Sequence, residues 1–247
     1  MANTIIIGDI HGCLTEFEEL VYQAVRPGDR VICLGDLLDK GPDPVGCLQY
    51  ARHKGFESVL GNHEDWHLRW RKHEIRRKRD GYGNPMRPKD QTCVVQNEAL
   101  SDEDITWMWS LPKYLVVGSW VVVHGGLVPG LPLDQQDPTR IIRLRWLDEE
   151  NNHIPVDYAN PPPSDVHHWS TVYDGDLNVV YGHEPCSLSE PQVTTHHRAD
   201  GREVQCIDLD TGCVHGGRLT AFVLEKGYFV QVKARRCYAE SVYPIPA

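Results

Sequence analysis

Five short stretches of this chain place a cation-binding side chain directly after an apolar run. They are Gly8-Asp9-Ile10-His11-Gly12, Gly35-Asp36, Gly61-Asn62-His63-Glu64, Val123-His124-Gly125-Gly126 and Tyr181-Gly182-His183-Glu184. Between them they offer three oxygen donors (Asp9, Asp36, Asn62) and three imidazoles (His11, His124, His183). A mixed set of hard and borderline donors without a thiolate suits Mn, Fe or Zn. Each stretch alone has a plainer reading: His-Gly-Gly is commonly structural, and Asn62 can cap a helix. Five of them in one chain imply a shared site.

The stretch GDLLDKGPD, residues 35 to 43, adds Asp39 and Lys40 three and four residues after Asp36. Gly, Asp and Pro are ordinary turn formers, so its meaning depends on what positions it. Asn3 to Ile7, Arg30 to Leu34 and Glu57 to Leu60 read as buried strands. Leu14 to Ala24 has apolar residues at helical spacing, and Pro44 to His53 is a proline-opened helix. This β-α-β-α-β order predicts a parallel sheet with its functional groups at the carboxyl ends of the strands. In a sheet of adjacent strands the five tips converge on one edge.

Further on, Asn62 to about Lys78 reads as a long helix, with a Gly/Pro-rich loop from 80 to 89. Short strands follow at 115–117, 120–123, 179–181, 204–209, 220–224 and 228–232, the last two joined as a hairpin through Glu225-Lys226-Gly227. Asn160 to Ser164 is a proline-rich loop or linker. The chain is expected to form one domain over residues 1–247, with a basic helical and loop insert at about 65–112.

Composition bounds what this assembly can be. The 247 residues are 40% hydrophobic and 24% charged, as in a soluble globular protein. No apolar run approaches the ~18 residues that cross a bilayer, so no membrane association is expected. The N-terminus lacks a basic n-region, and its apolar stretch is too short for a signal peptide. The eight cysteines form no CxxC pair and several lie in apolar runs, which reads as reduced, mostly buried thiols in a cytoplasmic protein. A net charge of −10 argues against a stable nucleic-acid partner. Residues 69 to 89 are the exception, with nine Lys and Arg against Glu74 and Asp80.

The motifs GDIHG (8–12), GDLLDKG (35–41), GNHE (61–64), HGG (124–126) and GH (182–183), in that order, resemble those of the calcineurin-like metallophosphoesterases in their phosphoprotein-phosphatase branch. IDLDTGCVHGGRLTA (207–221) is similar to the closing strand-turn-strand of bacterial members, including symmetrical diadenosine-tetraphosphatase-like enzymes. The resemblance implies a four-layer α/β/β/α sandwich carrying two divalent metal ions, Mn before Fe, Zn or Ni. It implies that Asp9 and His11 hold the first metal, that Asp36 bridges both, and that Asn62, His124 and His183 complete the second. A hydroxide held between the metals would attack phosphorus. His63 would protonate the leaving oxygen, with Asp39 orienting its ring and raising its pKa. Lys40 would face the substrate phosphate, because phosphoryl transfer is mainly positioning and charge stabilisation. A further phosphate-binding arginine is expected after HGG, with Arg143 and Arg145 as candidates.

Protein phosphatases of this branch carry arginine where Lys40 stands and usually another arginine where Leu60 stands. Lysine offers a point charge, not a bidentate fork. Both departures lean toward the tetraphosphatase-like relatives. The expected substrate is a phosphoprotein or a nucleotide polyphosphate, and the rival of another class is a non-catalytic phosphate-binding scaffold, whose mark would be a lost ligand or acid. Plainer readings attach to other residues. His67 is surplus to the ligand set, His167-His168 and His196-His197 are surface pairs, Cys13 is unused, and Trp66, Trp70, Trp107 and Trp109 pack in the interior.

Overall fold

The computed structural model describes residues 2–89, 91–154, 165–241 and 245–246. The proline-rich stretch at 160–164 lies outside the described residues. In chain order the elements are β1 (Thr4–Ile7), α1 (Leu14–Ala24), β2 (Arg30–Cys33), α2 (Pro44–His53), β3 (Glu57–Ser58), α3 (Asn62–Asp80), α4 (Gln91–Ala99) and α5 (Asp102–Ser110). There follow β4 (Tyr114–Val117), β5 (Trp120–Val123), β6 (Trp146–Leu147), β7 (His153–Ile154), β8 (His167–His168), β9 (Asn178–Tyr181), β10 (Gln192–His197), β11 (Glu203–Asp208), β12 (Arg218–Val223) and β13 (Tyr228–Lys233).

Two five-stranded sheets run in the orders β13-β12-β1-β2-β3 and β10-β11-β9-β5-β4. In the first, β1, β2 and β3 are parallel, as the β-α-β-α-β order predicts, while β12 returns antiparallel against β1. In the second, β9 is parallel to both β5 and β11. Side chains alternate across a strand, and both faces here are buried. Ile6, Ile32 and Phe222 of the first sheet meet Val122, Val180 and Ile207 of the second, which fastens the sheets face to face. Ile5, Ile7, Val31 and Cys33 point the other way, into a core with Phe17 and Leu20 of α1 and Cys47 and Leu48 of α2. The α/β sandwich of two facing sheets implied by the family resemblance is therefore found, with α1 and α2 on the outer face of the first sheet. The outer face of the second sheet is covered by Ile141, Leu144, Trp169 and Tyr173, residues outside any α-helix.

Between β3 and β4 the chain runs through α3, the Gly/Pro-rich segment, α4 and α5. Glu64 caps the start of α3 by accepting from the amide of Gly61 at 3.2 Å, and Gly81 ends the helix in the left-handed region at φ 72°. Trp66 and Trp70 stack with ring centres 5.1 Å apart and are buried, as expected, but Trp109 of α5 is 57% exposed. Of the histidine pairs read as surface, His168 and His196 are half-buried. His168 stacks on Tyr181, and His196 donates to the Ser170 carbonyl at 2.8 Å. They lie on β8 and β10, strands too short or too polar to show in the sequence pattern. All eight cysteines are free, and six are buried.

Candidate metal centre

The parallel strands of both sheets end on the same side of the sandwich, so the five motif tips come from two sheets and not from one. β1, β2 and β3 supply Asp9, His11, Asp36 and Asn62, while β5 and β9 supply His124 and His183. The loops are forced together. A Cβ on Gly35 would lie 2.5 Å from the Gly61 nitrogen, and one on Gly182 would lie 2.2 Å from Asp9 Oδ1. Only glycine lets the backbones approach so closely. His11, Asp36, Asp39, Lys40 and His183 all have positive φ, between 43° and 82°. Left-handed backbone at a non-glycine residue is uncommon, and five such residues at one locus mark a site where side-chain placement outweighs backbone comfort.

Asp36 sits at the centre. Its Oδ2 is 3.4 Å from His11 Nε2, and its Oδ1 is 3.3 Å from His124 Nε2. His11 Nδ1 donates to the Leu38 carbonyl at 2.9 Å, and His124 Nδ1 donates to the Leu34 carbonyl at 2.8 Å. With Nδ1 engaged in this way, either ring in its neutral form turns the lone pair of Nε2 toward the carboxylate, although at His124 burial, which lowers the pKa, is outweighed by Asp36, which raises it. Asn62 Oδ1, another acceptor, lies 2.9 Å from His124 Nε2. Asp9 Oδ1 and both ring nitrogens of His183 are buried without a hydrogen-bond partner. Acceptors that face acceptors in a buried site call for cations. Among the described residues, two groups have their donor atoms within 4.8 Å of one another, His11-Asp36-His63 and Asp36-His124-His183, and Asp36 belongs to both. The donor set fits two divalent cations that share a carboxylate.

The electrostatics agree. Burial, reinforced by Asp210, Asp36 and Asp208, raises the Asp9 pKa far above the usual carboxylate range. Burial also acts against ionised Asp36, but His124, His63 and His11 overcome it and hold that carboxyl well down. For His183, burial and then the charge of Arg145 depress the pKa, leaving a neutral ring suited to ligation.

His63 and Asp39 pair as expected, with His63 Nδ1 donating to Asp39 Oδ2 at 2.5 Å. The direction of the His63 pKa does not follow the expectation. Burial lowers it, and Lys89 and Lys40 add to the effect, so that Asp36 and Asp39 do not restore it. Nothing in the local pattern of residues 69–89 sets Lys89 apart from the other cations there. His67 is no metal donor, but it is not idle either. Its Nε2 donates to Asp39 Oδ1 at 2.8 Å, while Asn97 of α4 donates to its Nδ1 at 3.1 Å. Arg71 Nε donates to Asn97 Oδ1 at 3.1 Å, which fixes the orientation of that amide and hence the tautomer of His67.

Lys40 Nζ donates to His11 Nε2 at 3.0 Å, so its charge lies over the centre. Arg143 is engaged elsewhere, with Nη2 2.5 Å from Asp65 in the first turn of α3. Arg145 Nε lies 3.4 Å from Glu184, next in sequence to His183.

Three further acids escaped the sequence reading. Glu64 is fully buried and accepts from the amides of Asp36, Leu37 and Leu38 at 2.8, 2.9 and 3.1 Å, which shapes the turn that carries Asp36 and Asp39. Asp208 and Asp210 are buried beside Asp9, and burial raises the pKa of Asp210 to about 6. They follow the same strand-end rule as the five motifs, since β11 ends at Asp208.

Residues 2–193 match the calcineurin-like phosphoesterase family, and the chain belongs to it. Among named proteins, it is 27% identical over 257 residues to an asymmetrical bis(5'-nucleosyl)-tetraphosphatase of Oceanobacillus iheyensis, covering 94% of this chain and 92% of that one. It is 27% identical over 282 residues to a symmetrical bis(5'-nucleosyl)-tetraphosphatase of Chromohalobacter salexigens, covering 92% and 96%. Among solved structures, one described provisionally as a diadenosine tetraphosphatase superposes with a TM-score of 0.72 at 24% identity, covering 94% of each chain. A metallophosphoesterase from Sphaerobacter thermophilus superposes with a TM-score of 0.58 at 16% identity, covering 95% of this chain and 89% of that one. These two likenesses show the fold.

Proposed function

We propose that this metallophosphoesterase hydrolyses phosphoanhydrides of nucleotide polyphosphates, with dinucleoside polyphosphates preferred over phosphoproteins. The observation that carries the reaction class is Asp36, whose two oxygens face imidazoles on opposite sides, next to the His63–Asp39 pair. Asp9 and His11 would hold one cation, Asn62, His124 and His183 the other, and Asp36 would serve both. Manganese is the proposed occupant of this set of oxygens and imidazoles, which without a thiolate also suits Fe or Zn. Bound there, the cations supply Lewis acidity, which lowers the pKa of water and neutralises phosphoryl charge.

The chain's own residues do the rest. His63 gives its proton to the oxygen that leaves, while Asp39, gripped by both His63 and His67, keeps the ring in place. Lys40 neutralises charge on the transferred phosphoryl group, and Arg145, close enough to depress His183, is the better placed of the two arginines to hold a phosphate oxygen. Glu64 locks the Asp36–Asp39 turn against the start of α3. The nucleotide reading is supported by the activities named for the relatives, and by lysine at position 40 with no arginine at position 60. The whole chain is taken as one domain in which the 65–112 insert forms a recognition rim, and the free cysteines suit the cytoplasm.

A competition among diadenosine tetraphosphate, a phosphoserine peptide and nitrophenyl phosphate on the Mn²⁺-loaded protein tests this reading. A kcat/KM for the dinucleotide at least about tenfold above that for the peptide is expected; the reverse order would replace the nucleotide reading with a phosphoprotein one.

A further inference from the structure

Lys89 comes from the segment between α3 and α4, yet it reaches the catalytic pair. Its Nζ lies 2.9 Å from Asp39 Oδ2 and 3.0 Å from His63 Nδ1. It also lies 5.3 Å from the centre of the buried Trp66 ring, and its side chain is 33% exposed. Other cations of the basic stretch pair within their own helix, Arg69 with Asp65, Arg77 with Glu74 and Arg79 with Asp80. Lys89 instead makes its ion pair across the fold, to a residue 50 positions away.

The geometry of the imidazole gives this position a meaning. His63 Nε2 faces Asp36 at 3.7 Å, and Nδ1 faces Asp39. A proton delivered to a leaving group therefore departs from the Nε2 edge, on the side of the metal centre. Lys89 stands at the opposite edge, outboard of the ring. The single oxygen of an alkyl or aryl leaving group ends at Nε2. A leaving group that is itself a phosphate chain extends beyond that oxygen, and the Lys89 ammonium, 3.0 Å from Nδ1, stands within reach of such a chain. The flexible four-carbon stem, whose ammonium lies over the Trp66 ring, allows Nζ to exchange Asp39 for a phosphate oxygen without moving the backbone.

We propose that Lys89 is a specificity-determining residue that binds the departing phosphate chain when the enzyme cleaves an anhydride. This rests on the phosphoanhydride reading above and names the residue that would select for it. In the step it assists, the oxygen of water forms the new bond to phosphorus and its proton passes to solvent. The bond from phosphorus to the bridging oxygen breaks, and the electron pair stays on that oxygen, now the terminal phosphate of the released nucleotide. Such a leaving group is a stable anion and needs a countercharge more than a proton. An alkoxide needs the proton. Lys89 and His63 should therefore sort substrates in opposite senses.

The test uses the full chain loaded with Mn²⁺ and compares wild type, Lys89→Met and Lys89→Arg on diadenosine tetraphosphate and nitrophenyl phosphate, with ADP as an inhibitor that presents a free phosphate chain. The Lys89→Met loss in kcat/KM should be roughly 10- to 100-fold greater on the dinucleotide than on the aryl ester, the worth of one charge-assisted hydrogen bond. ADP inhibition should weaken in parallel, and Lys89→Arg should recover most of both. Equal fractional losses on the two substrates, with an unchanged inhibition constant for ADP, would make Lys89 a clasp for Asp39 and overturn the proposal. A lowered unfolding temperature shared by the Met and Arg variants, without selectivity, would do the same. Failure of the wider reading looks different: the wild type would cleave nitrophenyl phosphate and leave the dinucleotide intact.

Discussion

At His63, burial and two lysine ammonium groups outweigh the adjacent carboxylates, so the ring is a stronger acid than an ordinary histidine. A stronger acid gives its proton more readily to a poor leaving group, provided the proton is there when substrate arrives. His63→Asn keeps a side-chain hydrogen-bonding group but removes the acid, and it should cost ~10²- to 10⁴-fold on alkyl phosphates. Nitrophenyl phosphate, whose leaving group needs little protonation, should suffer much less. Asp39→Asn should show a milder version of the same bias, since it acts through the ring. Steady-state rates over a series of leaving groups check this; equal losses across the series would reduce His63 to a structural role. The six candidate ligands were legible in the sequence because each stands beside glycine at the end of a strand. Lys89 was not, because it is one of nine cations in a stretch whose local pattern gives no direction. Asn97 was hidden for a similar reason, since its partner His67 lies 30 positions away.

On the scale of elements, short segments behave least as their sequence suggests. β8 contains only His167 and His168, read as a polar surface pair, yet pairing with β6 sets His168 against Trp146 and Tyr181. Burial, with Arg145 adding to it, lowers the His168 pKa to about 4. The folded-state pKa is thus below the ordinary value of ~6.5. The unfolded chain binds the proton first as pH falls, so the stability that neutral His168 allows is present above pH ~6.5 and drains away toward pH ~4. Between pH 7 and 5 the loss should be about 2 kcal/mol. His168→Asn retains an acceptor for the Ser170 contact made at 2.8 Å, but it cannot titrate. Urea unfolding at several pH values should show a flatter acid limb for the variant, and parallel curves would place the titrating group elsewhere. The central strands, by contrast, were readable: runs such as Thr4–Ile7 and Trp120–Val123 are buried on both faces and need no tertiary information to be recognised.

Across the whole molecule, two sheets contribute to one centre, which single-strand patterns cannot show. The sequence reading placed the tips on one sheet edge; the fold places them where two sheets open on the same side, with Asp36 between His11 of the first and His124 of the second. Asp9, Asp36, Asp39, Glu64, Asp208 and Asp210 are all buried. Six carboxyl groups buried at one locus are costly unless protons or cations neutralise them, and the raised pKa values of Asp9 and Asp210 are the mark of that cost. The most direct test is the metal content of chelator-stripped protein titrated with Mn²⁺, read by elemental analysis and by nitrophenyl phosphate hydrolysis, alongside Asp36→Asn. Two Mn²⁺ per chain are expected, with hydrolysis absent from stripped protein and returning as the ions bind, and with weakened retention of metal in Asp36→Asn. Full hydrolysis by protein shown to be free of metal, or undiminished binding of both ions by Asp36→Asn, would contradict a centre built around a shared carboxylate.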